Sequence, residues 1–296
     1  MYKSYNDYRE DWKNAAKQTP KIPLNVDVEL SAVCNLECPF CFLQNKKYQK
    51  PEPAFMPTEV AVEVINEAAK LGVPALKFNW RGEPTLHPQF NEILMYASKK
   101  NFWDIIVNTN GNFRYSKLAG LSVATKVIFS IDTFDFDLYK QMRKGGDLAK
   151  VLLNVNFLFY NKHKNIVLRR IITEENKNED FKGIAKKLIT DVKVSEHYAF
   201  ERVENKKMNI PRTYCEYPSQ RLVVATNGNV YPCCIDYFET MKLGNIKSDK
   251  LIDIWNSKKL VDLRSELKKG NFQGVCANCT SWLSYDEKIK REAVKT

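Results

Sequence analysis

The sequence predicts an α/β protein: a partial (β/α)6 TIM-like barrel followed by a small C-terminal unit of one β-hairpin and short helices. Three observations predict it. Strand-like and helix-like segments alternate from residue 25 to about residue 200, which is the pattern of a parallel sheet with helices outside it. The alternation stops at a polar stretch without a period, residues 201–214. Two apolar runs joined by Asn227-Gly228 then read as a hairpin with a tight turn.

The elements follow in order. Residues 1–24 precede the pattern and form an N-terminal extension. Residues 25–31 (NVDVELS) alternate apolar and polar, the period of a strand with two unlike faces. Residues 57–72 place Ala61, Val64, Ile65, Ala68 and Leu71 on one helical face, with Pro57 suited to the first turn and Gly72 to the stop. Residues 75–80 read as the next strand, 88–101 as a helix, 103–111 as a strand running into a turn, and 126–132 as another strand. A helical pattern covers 135–161, and strands at 165–173 and 191–200 flank a helix at 181–189. Six such units are too few for the full eightfold barrel, so residues 25–200 predict a partial one. Residues 201–214 are the linker, and residues 215–296 hold the hairpin, short helices at 248–255 and 258–269, the run CANC and a final basic helix.

Composition sets the class. With 44% hydrophobic and 27% charged residues in 296, the chain has ample material for a core and is not a disordered protein. It has no apolar run long enough to span a bilayer. The start, MYKSYNDYREDWKNAAK, lacks the apolar region of a secretory signal, so the expected location is the cytoplasm. The net charge is +11, but the basic residues are scattered pairs such as Lys46-Lys47 and Lys186-Lys187. That favours a solvated basic surface over a nucleic-acid face.

The eight cysteines fall into two groups, Cys34, Cys38 and Cys41, and then Cys215, Cys233, Cys234, Cys276 and Cys279. Close-spaced groups in a long chain without a signal point to metal or cluster ligation in a reducing compartment, not to a disulfide frame. Cys34-x3-Cys38-x2-Cys41 puts three thiolates on the loop after the first strand. A structural zinc site wants four ligands, whereas three suit a [4Fe–4S] cube with one iron left open. Ligands in such sheets sit beyond the carboxyl ends of the strands, and RGEP (81–84), NTNG (108–111) and the Ser130–Asp132 end of the fourth strand fall on that same rim.

These three cysteines, with Phe40 before the last of them, resemble the signature of the radical S-adenosylmethionine (SAM) superfamily. The resemblance implies SAM chelated to the open iron, reductive cleavage of its C–S bond, and a 5′-deoxyadenosyl radical that takes hydrogen from an unactivated C–H bond. An electron donor such as flavodoxin or ferredoxin is then the expected partner. Arg81-Gly82-Glu83-Pro84 resembles the family's Gly-Gly-Glu-Pro motif, with Arg81 in place of the first glycine. Gly82 would bring backbone close to SAM and Glu83 would accept from its ammonium. Ser130 and Asp132 resemble ribose-contacting positions, Asn110 is a further candidate for the pocket, and Arg143 could pair with the SAM carboxylate. His87 reads as a packed loop residue.

Cys215, Cys233 and the pair Cys276-x2-Cys279 supply four thiolates, enough to close a site. Zinc and a [4Fe–4S] cluster both fit that count. With LGNI and DIWNS between them, the four resemble the SPASM/twitch domains of radical SAM enzymes in their shorter, one-cluster form. Cys234 is left over, either as a small buried residue or as a hydrogen-atom donor to a substrate radical. The barrel pattern begins too early for a leader-binding domain, so the expected substrate is a small sugar-like or phosphorylated molecule. A ribosomal-peptide maturase is the alternative. A non-catalytic zinc-binding module or an iron–sulfur sensor are the readings outside catalysis.

Overall fold

The structure, a computed structural model, describes residues 2–46, 48–163, 165–198, 215–277 and 279. The expected linker, 201–214, and the expected final helix lie outside the described residues.

Six strands pair in parallel in chain order: β1 (Asn25–Val28), β2 (Ala75–Phe78), β3 (Asp104–Thr109), β4 (Lys126–Ser130), β5 (Ile166–Ile172) and β6 (Lys193–Tyr198). This is the expected parallel sheet of a partial barrel. Its outer face is apolar. Val26, Val28 and Leu30, with Leu76, Phe78, Val107 and Phe129, pack on Val60, Val64, Ile65 and Ala68 of α2 (Thr58–Leu71) and on Phe90 and Leu94 of α3 (Phe90–Ser98). Strand side chains alternate, so Asn25, Asp27, Glu29, Lys77, Asn79, Asn108 and Ser130 stand on the inner face. The polar half of the NVDVELS pattern is therefore a barrel lining and not a solvent face. Gly72 closes α2 with a left-handed φ of 82°, its N–H reaching the carbonyls of Ala68 and Ala69.

Three local features were not legible. The 135–161 pattern is two helices, α5 (Phe136–Met142) and α6 (Leu148–Tyr160), each with its own aspartate cap, Asp135 and Asp147. The chain breaks at Gly145, whose φ is 87°, and the break carries Arg143 onto the cysteine loop. A short helix, α4 (Leu118–Ser122), joins β3 to β4 where none was expected. The N-terminal extension contains α1 (Tyr5–Asn14), capped by Ser4. Its fully buried Tyr8 packs with Leu24 and Ala75. Tyr5 donates to Asp104 Oδ2 at 3.2 Å, and Gln220 Nε2 to the Trp12 carbonyl at 3.0 Å. Because Asp104 and Ala75 begin their strands, α1 covers the end of the barrel opposite the cysteine loop.

The hairpin does not make a sheet of its own. After α7 (Phe181–Leu188) and α8 (Tyr217–Gln220), β7 (Arg221–Val224) pairs in parallel with β1 on its free side. β8 (Asn229–Tyr231) and β9 (Gly244–Asn245) then add antiparallel, giving one nine-stranded sheet in the order β6-β5-β4-β3-β2-β1-β7-β8-β9. The turn is Asn227-Gly228, with φ of 86° at the glycine. α9 (Leu251–Trp255) and α10 (Lys258–Lys268) cover it, with Trp255 buried and under the Arg264 guanidinium at 3.8 Å. Among the described residues, no helix is long and apolar enough to cross a membrane.

Candidate functional site

The loops after β1, β2, β3 and β4 surround one cavity of about 810 Å³, open mouth included. Cys34, Cys38 and Cys41 line it, and among the described residues no other cysteine or histidine does. None of the three is in a disulfide. The sequence-predicted Gly82, Glu83, Asn110, Ser130 and Arg143 line the same cavity.

The loops are stitched together. Gly82 N–H donates to the Ser31 carbonyl at 3.2 Å and Glu83 N–H to the Val33 carbonyl at 2.9 Å. A Cβ on Gly82 would stand 2.3 Å from Val33 O and 2.5 Å from Ser31 O, so only glycine lets the second loop lie on the cysteine loop. Here the glycine's close approach is to the chain's own backbone. The Glu83 carboxylate is buried. Its Oε1 accepts from Thr85 Oγ1 (2.6 Å), Thr109 Oγ1 (2.8 Å) and Thr85 N–H (3.2 Å), and its Oε2 accepts from Asn110 N–H at 2.7 Å. Burial pushes its pKa up, and these hydrogen bonds oppose the shift. Oε2 alone retains room for a further donor.

Asn110 and Arg143 hold the thiols directly. Asn110 Nδ2 donates to Asn35 Oδ1 at 2.9 Å and to Cys34 Sγ at 3.6 Å. Asn35 in turn donates to the Asn112 carbonyl at 2.8 Å. Arg143 Nη1 donates to Cys38 Sγ at 3.7 Å, and its guanidinium lies 5.3 Å from the Phe40 ring centroid. Its Nε sits 2.5 Å from Asp132 Oδ2. Asp132, with φ of 72°, is fully buried, and its Oδ1 accepts from Ile171 N–H at 2.8 Å. The predicted set therefore divides. Ser130 faces the cavity, while the Asp132 carboxylate is taken up by Ile171 and Arg143 and does not line it.

The thiols fit an iron cluster by their chemistry. Burial raises Cys34 to about 12, with the Glu83 charge adding to the shift, and also raises Cys38 against the pull of Arg143. Such thiols give up their protons to a metal whose positive charge replaces the lost hydration. Among the described residues, no three His, Cys, Asp or Glu side chains close on one point as ligands of a single ion do. A cube whose ligands each grip a different iron needs a wider spacing.

Arg81, which stands where the resembled motif has glycine, has a clear place. Its Nε and Nη2 donate to Glu29 Oε1 and Oε2, both at 2.6 Å, and its Nη1 to Glu239 Oε1 at 2.5 Å. It stacks on Trp80 with its guanidinium carbon 4.0 Å from the ring centroid. Glu29 also accepts from Thr226 N–H at 3.1 Å, and Tyr231 donates to Glu239 Oε2 at 2.7 Å. Glu29 and Glu239 were not predicted. An acid at an inner-face position of a strand was the available signal for Glu29.

The second cysteine set gathers beside the hairpin. Cys233 is buried, and the charges of Cys215 and Cys279 act on it. Cys276 is buried, and Cys279 N–H donates to its carbonyl at 3.3 Å. Cys234 is half-buried and packs with Trp80, Val223, Ala225 and Tyr231. It stands within electrostatic reach of Arg221, Asp27 and Lys77, which belong to the barrel's inner face. Lys77 was also missed. Burial lowers it to about 8, with Asp27 opposing the shift and Arg169 adding to it. Asn79 and Asn108 line the cavity above it. Asn108 Nδ2 donates to Asn79 Oδ1 at 3.3 Å, and its own buried Oδ1 has no partner among the described residues.

Comparison with known proteins agrees with this architecture. Residues 28–188, just over half of the chain, match the radical SAM superfamily, and residues 215–280 match SPASM, an iron-sulfur cluster-binding domain. A GTP 3′,8-cyclase of Alkaliphilus oremlandii is 26% identical over 132 residues, 44% of this chain and 41% of that protein. The chain spans about half the length of the curated relatives it matches. BtrN, in complex with AdoMet and 2-DOIA, is similar with a TM-score of 0.61 and 20% identity over 88% of this chain and 93% of BtrN. Streptococcus suis SuiB bound to its precursor peptide SuiA gives a TM-score of 0.63 and 15% identity, over 88% of this chain and 70% of SuiB.

Proposed function

The chain belongs to the radical SAM superfamily, and from that premise we propose that it removes a hydrogen atom from a small sugar-like or phosphorylated substrate, ending in oxidation or epimerisation. The family brings SAM and a [4Fe–4S] cluster, and the SPASM-type domain brings auxiliary iron–sulfur binding. In this reading residues 25–200 carry the SAM chemistry and residues 215–296 the auxiliary [4Fe–4S] cluster.

The observation that carries the reading is the cavity with Cys34, Cys38 and Cys41 at one side and polar strand residues at the other. A reduced [4Fe–4S] cluster with an open iron supplies the electron that splits SAM into methionine and the hydrogen-abstracting 5′-deoxyadenosyl radical. The chain's part is to bind, orient and exclude water. Cys34, Cys38 and Cys41 hold the cluster. Glu83 Oε2 offers one remaining acceptor site to the SAM ammonium, Gly82 and Asn110 shape the pocket wall, and Ser130 offers a hydroxyl to the ribose. Asp132 acts by holding Arg143, which faces the cavity and is kept charged by that contact. Phe40 and Trp80 wall the cavity against water.

The unpartnered Asn108 Oδ1 and its neighbour Asn79 suit the hydroxyl or amino groups of a substrate that reaches below SAM. Lys77 stands one inward step further down β2 and suits an anionic end. Cys215, Cys233, Cys276 and Cys279 would hold the auxiliary cluster, which would supply a one-electron acceptor if the outcome is oxidation. Cys234 donates a hydrogen atom if the outcome is epimerisation, and the thiyl radical left on it takes one electron from the reductant and a proton to restore the thiol. Flavodoxin or ferredoxin serves as reductant. The likeness to SuiB supports a peptide substrate as the second reading.

Deuterium transfer decides among these. Deuterated sugars, cyclitols, nucleotides and peptides are offered to the reduced enzyme with SAM, and 5′-deoxyadenosine is analysed by mass spectrometry. Label is expected from a hydroxylated or phosphorylated small molecule. Label only from peptides would replace the proposal with its alternative.

A further inference from the structure

Two cysteine sets can act together only if the chain fixes one against the other. Cys34, Cys38 and Cys41 sit on the loop after β1. Cys233 follows the hairpin and leads into residues 234–239, which run back towards that loop. Three contacts cross the gap. Phe42, next to Cys41, stacks on Tyr237 at 4.2 Å with the rings 11° apart. Trp80 Nε1 donates to the Cys234 carbonyl at 2.8 Å. Arg81 reaches Glu239 Oε1 at 2.5 Å and the Tyr237 carbonyl at 3.5 Å while gripping Glu29 with its other two nitrogens.

Arg81 is the centre of this group. Its side chain is 1% exposed and that of Glu29 fully buried, whereas that of Glu239 keeps 24% exposure. Its fork spans two carboxylates from opposite ends of the chain, and its flat face rests on Trp80, which also contacts Tyr231 at 5.4 Å. Glu239 holds a left-handed φ of 62°, uncommon for a residue with a side chain and compatible with a position over-determined by its partners Arg81 and Tyr231. A glycine at position 81 would leave Glu29 and Glu239 facing each other without the cation between them.

We propose that Arg81 is a positioning residue that clamps residues 233–239, and with them the second cysteine set, onto the first set. The inference rests on the two-cluster reading for its consequence but not for the clamp itself. It assigns to this chain's departure from the glycine-bearing motif a role in holding two halves of the site in register. Arg81 fixes the hairpin exit by geometry, so a lysine, which keeps the charge but lacks the fork, cannot fully replace it.

The test compares wild type, R81G, R81K and E239Q after anaerobic reconstitution, by two readings. The first is hydrogen exchange of backbone amides. R81G is expected to speed exchange in peptides covering 231–241 by about tenfold, with strands β3 to β5 unchanged, R81K giving a smaller increase and E239Q a similar local one. The second is the magnetic interaction between the two reduced clusters in electron paramagnetic resonance, which is expected to weaken in R81G at full iron content. Exchange that rises across the whole barrel would make Arg81 a general stabiliser and overturn the clamp, as would no change in either R81G or E239Q. If R81G fails to fold, E239Q and R81K decide by the same local increase or its absence. A wild type without two clusters would sink the proposed function, and the exchange pattern would still decide the clamp.

Discussion

Gly82, Asn110 and Arg143 fix the backbone and two of the thiols of the cysteine loop. Gly82 lies where a single methyl would collide with Val33 O at 2.3 Å and Ser31 O at 2.5 Å, and both oxygens belong to backbone that cannot rotate away. Gly82→Ala is therefore expected to shift the loop and remove one cluster's iron, measured by iron and sulfide analysis, while the fold's circular dichroism persists. Cys34 makes a second prediction. Burial lifts its thiol to about 12, so in the iron-free chain its thiolate fraction at pH 8 is roughly a thousandfold below that of an ordinary cysteine. Iodoacetamide should label it correspondingly slowly, tenfold faster for each unit of pH up to about 12, and at the ordinary rate once the chain is unfolded; mass spectrometry of the peptide reads this. The cysteines, Gly82, Glu83 and Arg143 could be singled out in the sequence because their spacing or motif is local. The partners that occupy them could not. Glu83's hydrogen bonds to Thr109 and Asn110, and Arg143's contacts with Asp132 and Cys38, join residues far apart in the chain.

The strands and their order followed from alternation, since one face of each meets helices and the other lines the barrel. The break between α5 and α6 did not, because apolar residues recur on both sides of the gap; Gly145-Gly146 and the Asp147 cap were its local marks. Helix α1 hid for another reason. It is polar over most of its surface and buries a single tyrosine, so few of its residues point to a core. That tyrosine still matters. Tyr8→Ala would empty a fully enclosed site beneath the barrel and is expected to lower stability by about 3 kcal/mol, read as a shift in the urea midpoint at unchanged slope. An unchanged midpoint would mean that α1 is only loosely applied to the barrel end. The hairpin was legible from Asn227-Gly228, but its joining β1 was not, because strand pairing between distant segments leaves no local trace.

At the scale of the whole molecule, one sheet carries both cysteine sets. Three thiols lie on the loop after β1, and the other five belong to the segment that carries its antiparallel extension. In the proposed reading, the first set would leave a corner of its cluster to SAM, while the second would close its own with protein ligands. The two sets should therefore fail differently. Cys276→Ala is expected to lose about half the iron yet still split SAM without productive turnover. The most direct measurement is 5′-deoxyadenosine formation by the reconstituted, dithionite-reduced protein with SAM, run beside Cys34→Ala and Cys276→Ala. The account predicts product from the wild type and from Cys276→Ala and none from Cys34→Ala. Full iron loading with no 5′-deoxyadenosine from the wild type, or equal product from Cys34→Ala, would contradict it.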